Sequence, residues 1–147
     1  MNYYVGIDLG TSSVKTLLLS GDGEVVSSVT KEYPLYFPHN GWSEQNPEDW
    51  YNQTIASLKE LLIDVDTKSV RSFSFSGQMH GLVMLDENNE VIRNSIIWCD
   101  GRTTEECREI EEIIGRPYKG ESKARNLTDI LYRDLGVDKI AAKVVRP

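Results

Sequence analysis

Apolar residues open the chain in three short runs. Tyr3–Leu9 ends at Asp8-Leu9-Gly10, and Val14–Ser20 is rich in branched residues and stops at Gly21-Asp22-Gly23, a strong turn signal. Glu24–Tyr33 carries Val25, Val26 and Val29. Two turns this close predict an antiparallel meander of three strands. Pro34, Pro38 and Asn40-Gly41 then mark an irregular connection. From Asn46 the period changes. Trp50, Thr54, Ile55, Leu58, Leu61 and Leu62 recur at helical spacing. Asn46 suits the N-cap, Pro47 the first helical position, and Glu48 and Asp49 the positive end of the dipole. This helix is predicted to end near Asp64.

Val70–Ser76 reads as a strand, with Val70, Phe73 and Phe75. Leu82–Leu85 and Val91–Ile92 flank Asp86-Glu87-Asn88-Asn89, the pattern of a hairpin turn, and Ser95–Trp98 is another short strand. Thr103 can cap a charged helix to about Ile114, with Ile110, Ile113 and Ile114 inward. A last helix is predicted over Ser122–Leu135, stopped by Gly136. Strands, a helix, more strands and further helices predict an α/β fold: a mixed sheet with flanking helices.

The length, 147 residues, is that of one domain. Hydrophobic residues make up 39% and charged residues 27%, which excludes wholesale disorder. The net charge is −7. So acidic a domain is a poor match for nucleic acid or an anionic membrane, although backbone N–H groups can still build a local anion site. No apolar stretch nears the length of a membrane span. Cys99 and Cys107 are too few for a disulfide framework and match no common zinc spacing. A soluble cytoplasmic protein is the expectation.

The first candidate for chemistry is Gly6-Ile7-Asp8-Leu9-Gly10-Thr11-Ser12-Ser13-Val14-Lys15. Asp8 closes a predicted strand, and Gly10 frees the turn after it. Thr11, Ser12 and Ser13 offer hydroxyls and N–H groups that can hold phosphate oxygens without a helix N-terminus. Asp8 can hold Mg²⁺, a hard cation that prefers carboxylate oxygen. On composition alone, a plain hairpin of turn-forming residues explains the loop equally well.

Four segments in order carry a resemblance. Residues 5–26 resemble the first phosphate-binding hairpin of the sugar kinase, Hsp70 and actin superfamily. Gly41-Trp42-Ser43-Glu44-Gln45-Asn46-Pro47-Glu48-Asp49-Trp50, Ser76-Gly77-Gln78-Met79-His80-Gly81 and Ile97-Trp98-Cys99-Asp100-Gly101-Arg102 resemble the FGGY carbohydrate kinases, most closely their xylulose-phosphorylating branch. The resemblance implies a ribonuclease-H-like fold and ATP-dependent phosphorylation of a sugar hydroxyl, D-xylulose first among candidates. Asp8 would be the metal-associated Asp, with Gly10, Thr11, Ser12 and Ser13 as the phosphate loop. Lys15 falls where relatives carry a basic residue near the phosphates, and reads equally as a solvent-facing strand lysine. Gln78, Met79 and His80 match the substrate-contacting segment, and Trp98 would lie near the sugar. Asp100 and Arg102 would join it there or form a structural ion pair. Trp50 reads as core and Trp42 as loop packing.

The resemblance spans residues 3–114, so the expected domains are an incomplete N-terminal kinase segment, 1–114, and a divergent helical tail, 115–147. It also implies that the catalytic Asp and the adenine site come later in longer enzymes. The expected partners are therefore a sugar, ATP and Mg²⁺, with a missing C-terminal kinase domain or a second copy of the chain. Alternatives are a non-catalytic module derived from a kinase and an actin- or Hsp70-like ATPase. The Gln78-Met79-His80 and Trp98–Arg102 segments argue against the ATPase.

Overall fold

Residues 1–114 are described by the computed structural model. The expected tail domain and the Ser122–Leu135 helix lie outside the described residues.

The meander forms as its turns predict. β1 (Tyr3–Leu9) runs antiparallel to β2 (Ser13–Ser20), and β2 to β3 (Val25–Glu32). In the second turn Gly23 takes φ +86°, a left-handed value that favours glycine. The Ser20 hydroxyl accepts the N–H groups of Asp22 and Glu24.

The first helix, α1, covers Pro47–Leu61, with the Asn46 side chain accepting the Glu48 N–H at 3.1 Å. It stops three residues before the predicted end, and Ile63 beyond it is exposed. A 3₁₀ turn, Thr67–Ser69, capped by Asp66, leads into β5 (Val70–Gly77). β5 pairs in parallel with β1, so the sheet order is β3-β2-β1-β5 and the sheet is mixed. A parallel partner needs a crossover, and α1 supplies it.

Alternation decides the two faces. Val5 and Ile7 of β1 and Val14, Thr16 and Leu18 of β2 are buried, and Tyr33 and Leu61 join them in the core. Trp50 and Leu58 of α1 and Leu62 at its C-cap pack against that cluster, so Trp50 is a core residue as expected. The residues between, Gly6, Asp8, Lys15 and Leu17, turn to the opposite face.

The described chain divides into two compact units. Met1–Leu35 and Gln45–Met79 make the first, Tyr36–Glu44 and the residues from His80 onward the second. In the second, β4 (Glu44–Gln45, at the boundary) pairs with β6 (Ser95–Ile96). The expected hairpin is reduced to one bridge, Leu85 with Val91, around a turn in which Asp86 accepts the N–H groups of Asn88 and Glu90. Its runs are too short to bury a face, and Leu82, Leu85 and Ile92 stay exposed.

The last described helix, α2, spans Thr104–Ile114. The Thr103 carbonyl accepts the Cys107 N–H, the backbone role of an N-cap. Ile110 is half-buried, but Ile113, expected inward, is 78% exposed. It lies about 60° around the helix from Ile110, and the covered side ends between them. Among the described residues no helix is long and apolar enough to cross a membrane.

Candidate functional site

In the first unit Asp8 ends β1 and sits opposite Lys15 in the ladder. Both are exposed on the face away from the core. They line an open cavity of about 400 Å³ with Gly6, Leu17, Ser74 and Ser76. β5 therefore brings two hydroxyl-bearing residues to the Asp8 side of the sheet.

The loop after Asp8 has its carbonyls turned back into the protein. The Gly10 carbonyl accepts the Tyr33 hydroxyl, Thr11 the Gln45 Nε2 at 2.7 Å, Ser12 the Tyr33 N–H at 3.2 Å, and Ser13 the Gly10 N–H at 2.9 Å. Four successive acceptors are thereby occupied, which removes carbonyl charge that would repel an anion. A Cβ at Gly10 would stand 3.1 Å from the Ser13 oxygen, so the tight return needs glycine. Tyr33 is buried, and burial followed by the Asp8 charge pushes its hydroxyl up to about 12. It stays a neutral donor at ordinary pH.

Gln78 reaches the same loop from β5. Its N–H donates to the Leu9 carbonyl at 2.7 Å. The approach is close because Gly77 has no side chain: a Cβ there would fall 2.7 Å from the Leu9 oxygen. The Gln78 Nε2 donates to the Gln45 Oε1 at 2.8 Å, while its own Oε1 is buried without a protein donor. Met79, 66% exposed, closes this unit.

The chain re-enters the second unit at His80, which is exposed and has φ +64°. Such a value is uncommon for a residue with a Cβ, and strained positions of this kind cluster at functional sites. Trp98 follows β6 and is 57% exposed. Cys99 beside it is exposed, as a free thiol.

Asp100 and Arg102 form the ion pair that was one of their two readings. Arg102 donates to both Asp100 oxygens, at 2.9 and 2.8 Å, and to Glu44 at 2.7 Å. Asp100 also accepts the Ser43 N–H at 2.6 Å, and Arg93 donates to Glu44 at 2.6 Å. The Arg102 guanidinium lies 3.7 Å over the Trp42 ring, so Trp42 is loop packing as expected. Burial pushes the Asp100 carboxyl up, but the hydrogen bonds from Arg102 and Ser43 and the Arg102 charge outweigh it and hold it at about 2.

The structure thus gathers Asp8, Gly10, Thr11, Ser12, Ser13, Lys15 and Gln78 in one unit with Met79. It puts His80, Trp98, Asp100 and Arg102 in the other. Gln45, Tyr33 and Glu44 escaped the sequence reading as site residues. Tyr33 looked like the end of a strand. Gln45 and Glu44 lie between Trp42 and Trp50 in a run of polar residues that does not mark either of them as buried.

A divalent cation of the Mg²⁺ type keeps several waters and takes one or two carboxylates plus phosphate oxygens. The single exposed Asp8 beside a hydroxyl-bearing loop fits that mode. Among the described residues no group of three or more candidate ligands builds a protein cage.

Comparison with known proteins adds the context. The family model "FGGY family of carbohydrate kinases, N-terminal domain" matches residues 3–132, further than the 3–114 over which the motifs are legible. A xylulose kinase from Bacillus subtilis is 50% identical over 117 residues, 78% of this chain and 23% of that relative. A ligand-bound xylulose kinase from Lactobacillus acidophilus superposes with a TM-score of 0.73 at 30% identity, over 77% of this chain and 23% of that one. A gluconate kinase from the same organism gives a TM-score of 0.73 at 30% identity, over 76% and 23%. The chain therefore spans about a quarter of the length of these relatives.

Proposed function

Because this chain belongs to the FGGY family of carbohydrate kinases, we propose that it is the sugar- and phosphate-binding part of a cytoplasmic kinase that acts on a ketopentose. The reaction transfers the terminal phosphoryl group of ATP to a hydroxyl of D-xylulose, giving D-xylulose 5-phosphate and ADP, and the hydroxyl proton passes to a base. The observation that carries this reading is the loop at 10–13, with four carbonyls anchored behind it and a carboxylate at its start.

Each residue then has a task. The N–H groups and hydroxyls of Thr11, Ser12 and Ser13 take phosphate oxygens, and Gly10 lets the loop return tightly. Asp8 holds Mg²⁺, which when bound neutralises charge on the phosphates. Lys15, across the ladder from Asp8, adds positive charge on the same face. By the family likeness, Gln78, Met79, His80 and Trp98 are the residues offered to the sugar: polar atoms to hydroxyls, the Met79 and Trp98 faces to C–H groups. Asp100 and Arg102 hold the loop that carries Trp98.

The likeness to a gluconate kinase supports a second substrate, an anionic sugar acid. A sugar carboxylate would gain from a cation near Trp98, but Arg102 is already matched by Glu44 and Asp100. That favours an uncharged sugar. Chemical-shift mapping on this chain tests the choice. D-Xylulose is expected to move the signals of Gln78, Met79, His80 and Trp98, weakly, and D-gluconate to leave them in place. Shifts clustered elsewhere with these four silent would sink the assignment.

A further inference from the structure

One side chain ties the phosphate loop to the sugar-side segment. Gln45 is fully buried and makes hydrogen bonds to four separate stretches of chain. Its Nε2 donates to the carbonyls of Thr11, at 2.7 Å, and Pro34, at 3.4 Å. Its Oε1 accepts the Trp50 indole N–H at 3.2 Å and the Gln78 Nε2 at 2.8 Å.

These partners leave the amide one orientation. An indole N–H only donates and a backbone carbonyl only accepts. The Gln45 oxygen must face Trp50, and its nitrogen must face Thr11. Gln78 then has to offer its NH₂ to the Gln45 oxygen, so its own oxygen is left over. That oxygen is the buried acceptor without a protein donor. Buried acceptors are nearly always satisfied, so an exception calls for a specific donor. A ligand hydroxyl is a donor of the right kind.

We propose that Gln45 is a positioning residue that, locked by Trp50, sets the Thr11 carbonyl and the Gln78 carboxamide together, so that Gln78 presents its oxygen to a substrate hydroxyl. The proposal rests on the reading of this chain as the sugar- and phosphate-binding part of a kinase. It adds a relay: Trp50 fixes Gln45, Gln45 fixes Gln78, and the same amide fixes the phosphate loop.

The relay can be read first without kinase activity, from the side-chain amide NMR signals of the 147-residue chain. Trp50→Phe keeps the aromatic packing and removes the indole N–H, which releases the Gln45 amide. The side-chain signals of Gln45 and Gln78 and the backbone signal of Ser12 are expected to shift together. An unmoved Gln78 signal overturns the relay. The second readout is kinetic, in the full-length enzyme that carries this segment. Gln78→Leu is expected to raise the KM for D-xylulose about tenfold, roughly the worth of one hydrogen bond. Gln45→Met should raise it by the same factor, and the double variant should be no worse than either single one. Gln45→Met should also lower kcat, through Thr11, where Gln78→Leu does not. KM effects that multiply, or a Gln45→Met enzyme with a lowered thermal midpoint and unchanged KM, would overturn the proposal. A wild-type enzyme that phosphorylates no sugar would sink the kinase reading, and the amide signals would still decide the relay.

Discussion

Asp8 stands exposed at the end of a strand whose other face forms the core, so its carboxylate adds little to packing. On the proposed reading, its role is its charge beside the loop that takes phosphate. In a full-length kinase bearing this segment, Asp8→Asn should lower kcat by a factor of about 10²–10³, as loss of an electrostatic group commonly does. The thermal midpoint should stay level. Normal turnover with a clearly lower midpoint would make Asp8 a turn residue only. His80 gives the opposite signature. Its left-handed backbone costs about 1 kcal/mol for a residue with a Cβ, and glycine escapes that cost. His80→Gly should therefore raise the midpoint while weakening sugar binding. Calorimetry and D-xylulose titration on the same variant check both halves, and unchanged sugar binding would remove His80 from the substrate contacts.

At the scale of elements, the second unit rests on a polar latch. Asp100 and Arg102 have side chains only 3% and 12% exposed, and Glu44 8%. Removing one partner of such a pair strands a buried charge, so Arg102→Gln should cost about 3 kcal/mol at neutral pH. The pH dependence has a definite sign. The Asp100 carboxyl is held at about 2 in the fold, below the unfolded value of about 3.9. Its contribution is complete above about pH 5 and lost as the pH falls from about 4 to 2. Denaturant melts across that window should show a steeper acid loss in the wild type than in Arg102→Gln. Equal slopes would mean that Asp100 titrates normally. This latch also marks the limit of sequence reading. The three-strand meander and the Asn46 cap were legible because they are local: turn residues and helical periodicity write them into a few adjacent positions. The parallel β1–β5 pairing joins residues more than sixty positions apart, and no local pattern encodes it. Gln45 is invisible for the same reason. Its partners Thr11, Pro34 and Gln78 are distant in sequence, and a lone polar residue gives no sign that it is buried. The motif residues stood out by resemblance. The groups that hold them, Tyr33, Gln45 and Glu44, emerge only once the chain is folded.

On the scale of the whole molecule, the question is whether these 147 residues can complete the reaction. Phosphoryl transfer needs a base or positioning group for the attacking hydroxyl and a site that holds the nucleotide. The carboxylate nearest Trp98 in sequence is Asp100, and it is a poor base. Both of its oxygens accept hydrogen bonds from Arg102, Oδ2 also takes the Ser43 N–H, and its carboxyl is held at about 2. A group that weakly basic does not take a proton from a hydroxyl near neutral pH. Asp8 has no such hydrogen-bond partner among the described residues, but the proposed reading places it at the loop that takes phosphate, as a metal-holding carboxylate rather than a base. On the proposed reading, the described residues offer binding groups for phosphate and sugar, and neither Asp100 nor Asp8 is placed to act as the base. The chain alone, mixed with ATP, Mg²⁺ and D-xylulose, is expected to release ADP at the rate seen without sugar. A coupled ADP assay measures this. The same assay on a full-length enzyme carrying this segment should show sugar-dependent turnover, and that arm keeps a silent chain from being mistaken for a wrong substrate. Robust xylulose-dependent release by the 147 residues alone would mean that a base lies within them, and Asp8 would be the first carboxylate to reassign.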